Sequence, residues 1–153
     1  MCSSDLFNAD GFVFYTNTLS DKGQDLAQNP QAALVFHWDE LGEQLRVQGA
    51  AQPVSDVEAD AYWATRARES QIGAWASHQS KTLDEMATLV QKVQDLERTF
   101  EEQEIIPRPP HWSGYRIVPN RIEFWTNRPA RLHERAVYER GPAGDWTLGR
   151  LYP

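Results

Sequence analysis

Apolar and polar residues alternate with a period of two near both ends of this 153-residue chain, and with a period between three and four only in its middle. Side chains alternate across a strand and recur every 3.6 residues along a helix, so this order predicts strands at both ends and helices between them. Phe12-Val13-Phe14-Tyr15-Thr16 is a β-rich run. Ser20 then caps a short helix to about Gln28, which Asn29-Pro30 ends. Ala32 to Trp38 predicts a buried strand. Leu45 and Val47, alternating with Gln44, Arg46 and Gln48, predict a half-buried one that Gly49 lets bend before it continues towards Val54. Ser55-Asp56-Val57-Glu58 and Thr82-Leu83-Asp84-Glu85 both have the form of a capping box, which places two helix starts. Leu83, Met86, Leu89, Val90, Val93, Leu96 and Phe100 then form one apolar helical stripe. After Pro107 to Pro110, the segments 113–118, 121–126, 134–140 and 146–151 predict a β meander. The expected fold is mainly β with inserted helices, an antiparallel barrel or strongly curled sheet rather than a doubly wound parallel one.

A hydrophobic content of 41% in a chain of this length supports one domain around one core. The formal charge of -7 argues against general nucleic-acid binding, which needs a basic surface to displace phosphate counterions. The single cysteine, Cys2, supplies neither a disulfide framework nor a structural zinc site, so a reducing cytoplasm is the expected location. No apolar run approaches the roughly 20 residues of a membrane-spanning helix, and residues 1–10 lack the pattern of a secretory signal.

The densest chemistry lies in Ile122-Glu123-Phe124-Trp125-Thr126 and, after a short gap, Arg131-Leu132-His133-Glu134-Arg135. Read as a strand, the second run puts Arg131, His133 and Arg135 on one face beside an aromatic plane, a setting for a flat anionic ligand. Tyr62, Arg66 and Ser70 recur every four residues. On a helix continued from Ser55 they would offer a phenol, a guanidinium and a hydroxyl to one anion, although the run from Arg66 to Gln71 is equally able to break that helix. Read alone, Ser20 is a helix cap and Lys22 a solvated charge. Trp38, Trp63, Trp112 and Trp146 read as core or contact aromatics, and His37, His78 and His111 show no metal-ligand spacing. No Gly-x-Ser-x-Gly elbow, His-Glu-x-x-His pair or phosphate-cradling Gly-rich Lys loop is present.

The 122–126 and 131–135 runs resemble the C-terminal signature of the pyridoxamine 5'-phosphate oxidase family, with Thr126 the departing position. The resemblance extends from about Gly11 to Pro153 and includes Ser70-Gln71-Ile72-Gly73-Ala74-Trp75-Ala76-Ser77. It implies an FMN-binding split barrel acting as a homodimer with FMN at the interface, residues 11–153 forming the oxidase domain with its C-terminal dimerisation region. It implies that Tyr15, Thr16, Ser20, Lys22, Gln44, Gln79, Ser80, Trp125 and Arg135 contact FMN. Tyr62, Arg66 and Ser70 would hold the substrate phosphate, and Arg131 and His133 the pyridine ring at the reacting centre. The implied activity is oxidation of pyridoxamine and pyridoxine 5'-phosphates by O2. The alternatives are a non-catalytic flavin or pyridoxal-phosphate module and a related flavin oxidase acting on another ring. Asp21 stands where relatives commonly carry arginine, which implies weaker flavin binding. Residues 1–10 are expected to lie outside the family pattern, with the barrel incomplete at its N-terminal end.

Overall fold

The computed structural model describes residues 6–153, so Cys2 and the opening five residues lie outside the described residues. Seven strands form one antiparallel sheet: β1 (Leu6–Asn8), β2 (Gly11–Asn17), β3 (Gln31–Trp38), β4 (Glu43–Pro53), β5 (Trp112–Thr126), β6 (Glu134–Arg140) and β7 (Trp146–Arg150). Their order is β1-β2-β5-β4-β3, with β6 paired to β5 and β7 to β6. Four helices are inserted: α1 (Asp21–Gln28), α2 (Asp56–Ala64), α3 (Arg68–Ala76) and α4 (Met86–Thr99). The expected mixture of strands and inserted helices is what folds, and its contacts fall into two compact units.

The first unit comprises Phe14–Gln28 and Pro53–Tyr115. Its core packs Trp63, Ile72, Phe100, Ile106 and Trp112, with Tyr15, Tyr62, Val93 and Leu96 against them. The indole N–H of Trp63 donates to the Ile106 carbonyl at 2.7 Å and that of Trp75 to Pro107 at 2.8 Å, so burial leaves neither indole unsatisfied. The Ser55 cap forms, its Oγ accepting from the Glu58 amide at 3.2 Å. The Thr82 box does not. Helix α4 begins later, at Met86, behind Glu85 in extended conformation with no side-chain cap, and Leu83 is left outside it. Only Val93, Leu96 and Phe100 of the expected stripe pack on this core, while Met86 and Val90 are exposed.

The second unit comprises residues 6–13, Asn29–Gln52 and Arg116–Pro153. The meander differs from expectation in one respect: segments 113–118 and 121–126 are a single 15-residue strand, β5, running through Pro119 and Asn120. Proline interrupts a ladder only where its N–H is needed. Here β5 has β2 beside it near Ile117 and β6 from Arg121 onward, so Pro119 falls where one neighbour gives way to another. The close approach rests on two glycines. A Cβ at Gly11, whose φ is +140°, would stand 2.2 Å from the Ile117 carbonyl oxygen, and one at Gly49 would stand 2.0 Å from that of Val118. Gly49 is therefore a contact glycine within an unbroken β4 rather than a bend. Strand β3, expected to be buried, lies at the end of the sheet order, and its Val35 is 58% exposed.

Candidate functional site

Within the first unit, a cavity of about 350 Å³ is lined by Tyr15, Thr16, Lys22, Tyr62, Arg66 and Ser70, among others. The helix expected to carry Tyr62, Arg66 and Ser70 breaks. Helix α2 ends at Ala64, the Thr65 and Arg66 amides fold back to the carbonyls of Tyr62 and Trp63, and α3 starts anew at Arg68. The three side chains nonetheless line the same cavity. Tyr15 stacks on Tyr62 with ring centroids 4.0 Å apart and on Trp112 at 5.1 Å, building one aromatic wall. The Arg66 guanidinium lies 5.4 Å from the Trp63 ring and 5.0 Å from the Trp112 ring. Burial depresses its pKa, partly offset by Tyr62. Its Nη1 is buried and has no hydrogen-bond partner among the described residues. A desolvated cation with an unspent donor is a strong receptor for an anion.

Beside it, the Lys22 ammonium donates to Thr16 Oγ1 at 2.9 Å and to Gln79 Oε1 at 3.1 Å, and the Thr16 hydroxyl donates to the same Gln79 oxygen at 3.2 Å. Ser80, in the left-handed region with φ of 70°, accepts the Asp21 amide on its Oγ at 3.2 Å. These bonds gather Thr16, Lys22, Gln79 and Ser80 at the start of α1, where the helix dipole favours an anion and the Asp21 carboxylate in the first turn opposes one. Ser20 is fully buried. Its hydroxyl donates to the Asn17 carbonyl at 2.6 Å and accepts from the Gly23 amide at 3.3 Å, so its side chain is spent on the cap.

In the second unit, Arg131, Leu132 and His133 do not lie on a strand. Arg131 closes a short 3-10 turn, Pro129–Arg131, and β6 begins only at Glu134, so the expected alternation of Arg131, His133 and Arg135 on one strand face is corrected. Ala130 and Arg131 both have positive φ, 56° and 62°. Left-handed backbone costs an L-residue roughly 1–2 kcal/mol, and such strain clusters at functional sites. The turn is tied at its base by a two-pronged Arg128 to Glu134 pair at 3.0 and 3.1 Å. The Arg128 amide donates to Nδ1 of His133 at 3.2 Å, which assigns any proton on a neutral ring to Nε2. The His133 ring sits 4.7 Å from that of Trp125, while Arg131 stands exposed at the tip.

Trp125 and Arg135 are direct cross-strand partners, and Glu123, two residues from Trp125, shares their face. Glu123 is 1% exposed and ringed by Arg135, Arg121 and Arg46. The hydrogen bond from Arg135 holds its carboxyl below the ordinary range, against the upward push of burial. Gln44 lies on the Arg46 face of β4. Two participants stand outside the expected set of site residues. Trp112 is core, as expected, yet it also flanks Arg66, and no local pattern announces that. Glu123 carried a signal, a carboxylate alternating with an aromatic inside an apolar run.

An antiparallel sheet with inserted helices thus carries two clusters of cationic and aromatic side chains, one around Arg66 and Lys22 and one around Trp125 and Arg135. Residues 1–100 match the family described as pyridoxamine 5'-phosphate oxidase, and residues 112–153 match the pyridoxine 5'-phosphate oxidase C-terminal dimerisation region. The chain is 57% identical over 143 residues to a pyridoxine/pyridoxamine 5'-phosphate oxidase of Alkalilimnicola ehrlichii, covering 94% of this chain and 72% of that protein. It is 56% identical over 147 residues to the enzyme of the same name from Caulobacter vibrioides, covering 96% and 65%. It therefore spans about two thirds of the length of these relatives. A crystal structure of PhzG from Burkholderia lata, in complex with tetrahydrophenazine-1-carboxylic acid, superposes with a TM-score of 0.88 at 33% identity over 97% of this chain and 71% of that one. A pyridoxamine 5'-phosphate oxidase-related, FMN-binding protein of Nostoc punctiforme shares the fold, with a TM-score of 0.74 at 18% identity over 97% and 77%. The chain belongs to the pyridoxamine 5'-phosphate oxidase family, and its fold is the FMN-binding split barrel.

Proposed function

We propose that this chain binds FMN and oxidises pyridoxamine 5'-phosphate and pyridoxine 5'-phosphate to pyridoxal 5'-phosphate, with O2 as acceptor and hydrogen peroxide as product. The observation that carries the reading is Arg66, its Nη1 buried and unpartnered, lining an aromatic-walled cavity together with Tyr62 and Ser70. Such a donor set suits the phosphate of a small aromatic ester, and the family match supplies the ring class.

The residues present also fit FMN. The Lys22 ammonium, held by Thr16 and Gln79 beside the start of α1, suits a phosphate, and Ser80 caps the same helix start. Gln44, Trp125 and Arg135 offer an amide, an aromatic plane and a guanidinium to a flavin ring, while Tyr15 lends its strand and Ser20 the cap that shapes this corner. FMN, when bound, supplies the two-electron oxidation, so the protein's task is to hold and align the substrate. Arg131, presented by its strained turn, and His133, fixed by the Arg128 amide, orient the pyridine ring and its reacting carbon. The active form is a cytoplasmic homodimer with FMN at the interface, in keeping with the dimerisation-region match.

The test is formation of pyridoxal 5'-phosphate, trapped as its hydrazone, with peroxide in equal amount and dependence on added FMN. Peroxide without an aldehyde product would refute the substrate assignment. A second reading, an FMN oxidase acting on an unphosphorylated ring, is favoured only by the likeness to PhzG. It predicts turnover indifferent to the substrate phosphate.

A further inference from the structure

We infer that Glu123 is a positioning residue that fixes the Arg135 guanidinium so that its remaining edge meets FMN, an inference that rests on the reading of Arg135 as a flavin contact. Glu123 occupies a core position, opposite the buried Val137 on β6. An apolar side chain there would avoid the desolvation cost of a carboxylate, and burying an ion pair seldom stabilises a fold more than a well-packed hydrophobic group does. Stability alone therefore does not explain an acid at this point.

Geometry does. Glu123 Oε1 accepts from Arg135 Nε at 2.7 Å. From the far side, Arg135 Nη1 donates to the carbonyl of Tyr152 at 3.0 Å. A guanidinium is rigid and planar with five N–H donors, so two anchors on different nitrogens fix its plane and direction. Nη2 makes no hydrogen bond among the described residues, and Arg135 shares its sheet face with Trp125. The other oxygen, Oε2, meets Arg121 at 3.2 Å and Arg46 at 3.8 Å without a well-directed hydrogen bond. Arg121 has further partners in Glu139 at 3.4 Å and Gln48 at 3.4 Å. Of the three arginines, Arg135 makes the closest contact with Glu123, at 2.7 Å against 3.2 and 3.8 Å.

The experiment titrates FMN into the apoprotein of the full chain, read by quenching of flavin fluorescence, for Glu123→Gln, Glu123→Leu, Arg135→Met and the Glu123→Gln/Arg135→Met pair. Circular dichroism and thermal melting report the fold separately. Residues in one hydrogen-bonded pair couple strongly, so Glu123→Gln should weaken FMN binding about ten-fold. Arg135→Met should weaken it at least as much, and the double variant no further. Glu123→Leu should stay folded and bind FMN as weakly as Glu123→Gln. Wild-type affinity in both Glu123 variants, with affinity lost in Arg135→Met, would overturn the inference while leaving Arg135 as a flavin contact. Losses that multiply in the double variant would overturn it too, because Glu123 would then act independently of Arg135. Wild-type affinity in Arg135→Met would instead overturn the reading of Arg135 itself. If neither Glu123 variant folds, the carboxylate is a core requirement and the positioning role is refuted.

Discussion

Replacing Arg66 with methionine separates binding from stability. The guanidinium lies against two indoles, at 5.4 and 5.0 Å, and each cation–π contact contributes on the order of 1 kcal/mol. Against that gain stands the cost of a buried, unpartnered Nη1, also about 1–3 kcal/mol. The two nearly cancel, and methionine fills similar space between aromatic faces. Unfolding free energy should thus change by less than about 1 kcal/mol in a urea titration. Binding of a phosphorylated substrate should lose a charge-assisted hydrogen bond of about 1.5–3 kcal/mol, which raises KM roughly ten- to 150-fold. Initial rates with pyridoxamine 5'-phosphate and with pyridoxamine read this directly, since only the first should respond. An unchanged KM, or equal changes for both substrates, would refute the assignment of Arg66 to the phosphate.

Substituting Arg131 with lysine keeps charge and backbone strain but removes the planar fork, so kcat should fall while bound FMN per chain, read from its visible absorbance, stays constant. Loss of flavin would reverse the assigned roles. Gly49→Ala should lower stability by at least about 2 kcal/mol in chemical denaturation, because the added Cβ meets the Val118 carbonyl at 2.0 Å. A neutral result would mean that β4 can withdraw from β5. Ser55→Ala should cost about 1 kcal/mol through loss of the cap on the Glu58 amide, again read by denaturation. Glu123 has a folded-state pKa held below its unfolded value, so its contribution is present above the ordinary glutamate pKa of about 4.3 and is lost as pH falls through the lower folded value. The stability gap between wild type and Glu123→Gln should therefore be flat near neutrality and close in acid. A gap independent of pH would contradict the ion-paired carboxylate.

Much of the architecture was legible because period and capping are local properties. The end of β6, the start of α2 at the Ser55 box and the end of α1 before Asn29-Pro30 all follow from neighbouring residues. What escaped is set by tertiary partners. Pro119 reads as an interruption, yet β5 continues because its neighbour changes there. Thr82 reads as a cap, yet the helix starts at Met86. Arg131 and His133 alternate as if on a strand, but the chain turns through two left-handed residues that no propensity favours. The four-residue spacing of Tyr62, Arg66 and Ser70 grouped residues that do line one cavity, though across a helix break rather than along one helix. The placement of Arg66 between Trp63 and Trp112 depends on residues nearly fifty positions apart, beyond any local pattern.

The most direct measurement is anaerobic mixing of pyridoxamine 5'-phosphate with the FMN-loaded chain while the oxidised-flavin absorbance is followed, then admission of air. Bleaching on mixing and full recovery in air, with one pyridoxal 5'-phosphate formed per flavin, is the predicted result. Bound flavin that never bleaches would contradict an oxidase and leave a binding module in its place.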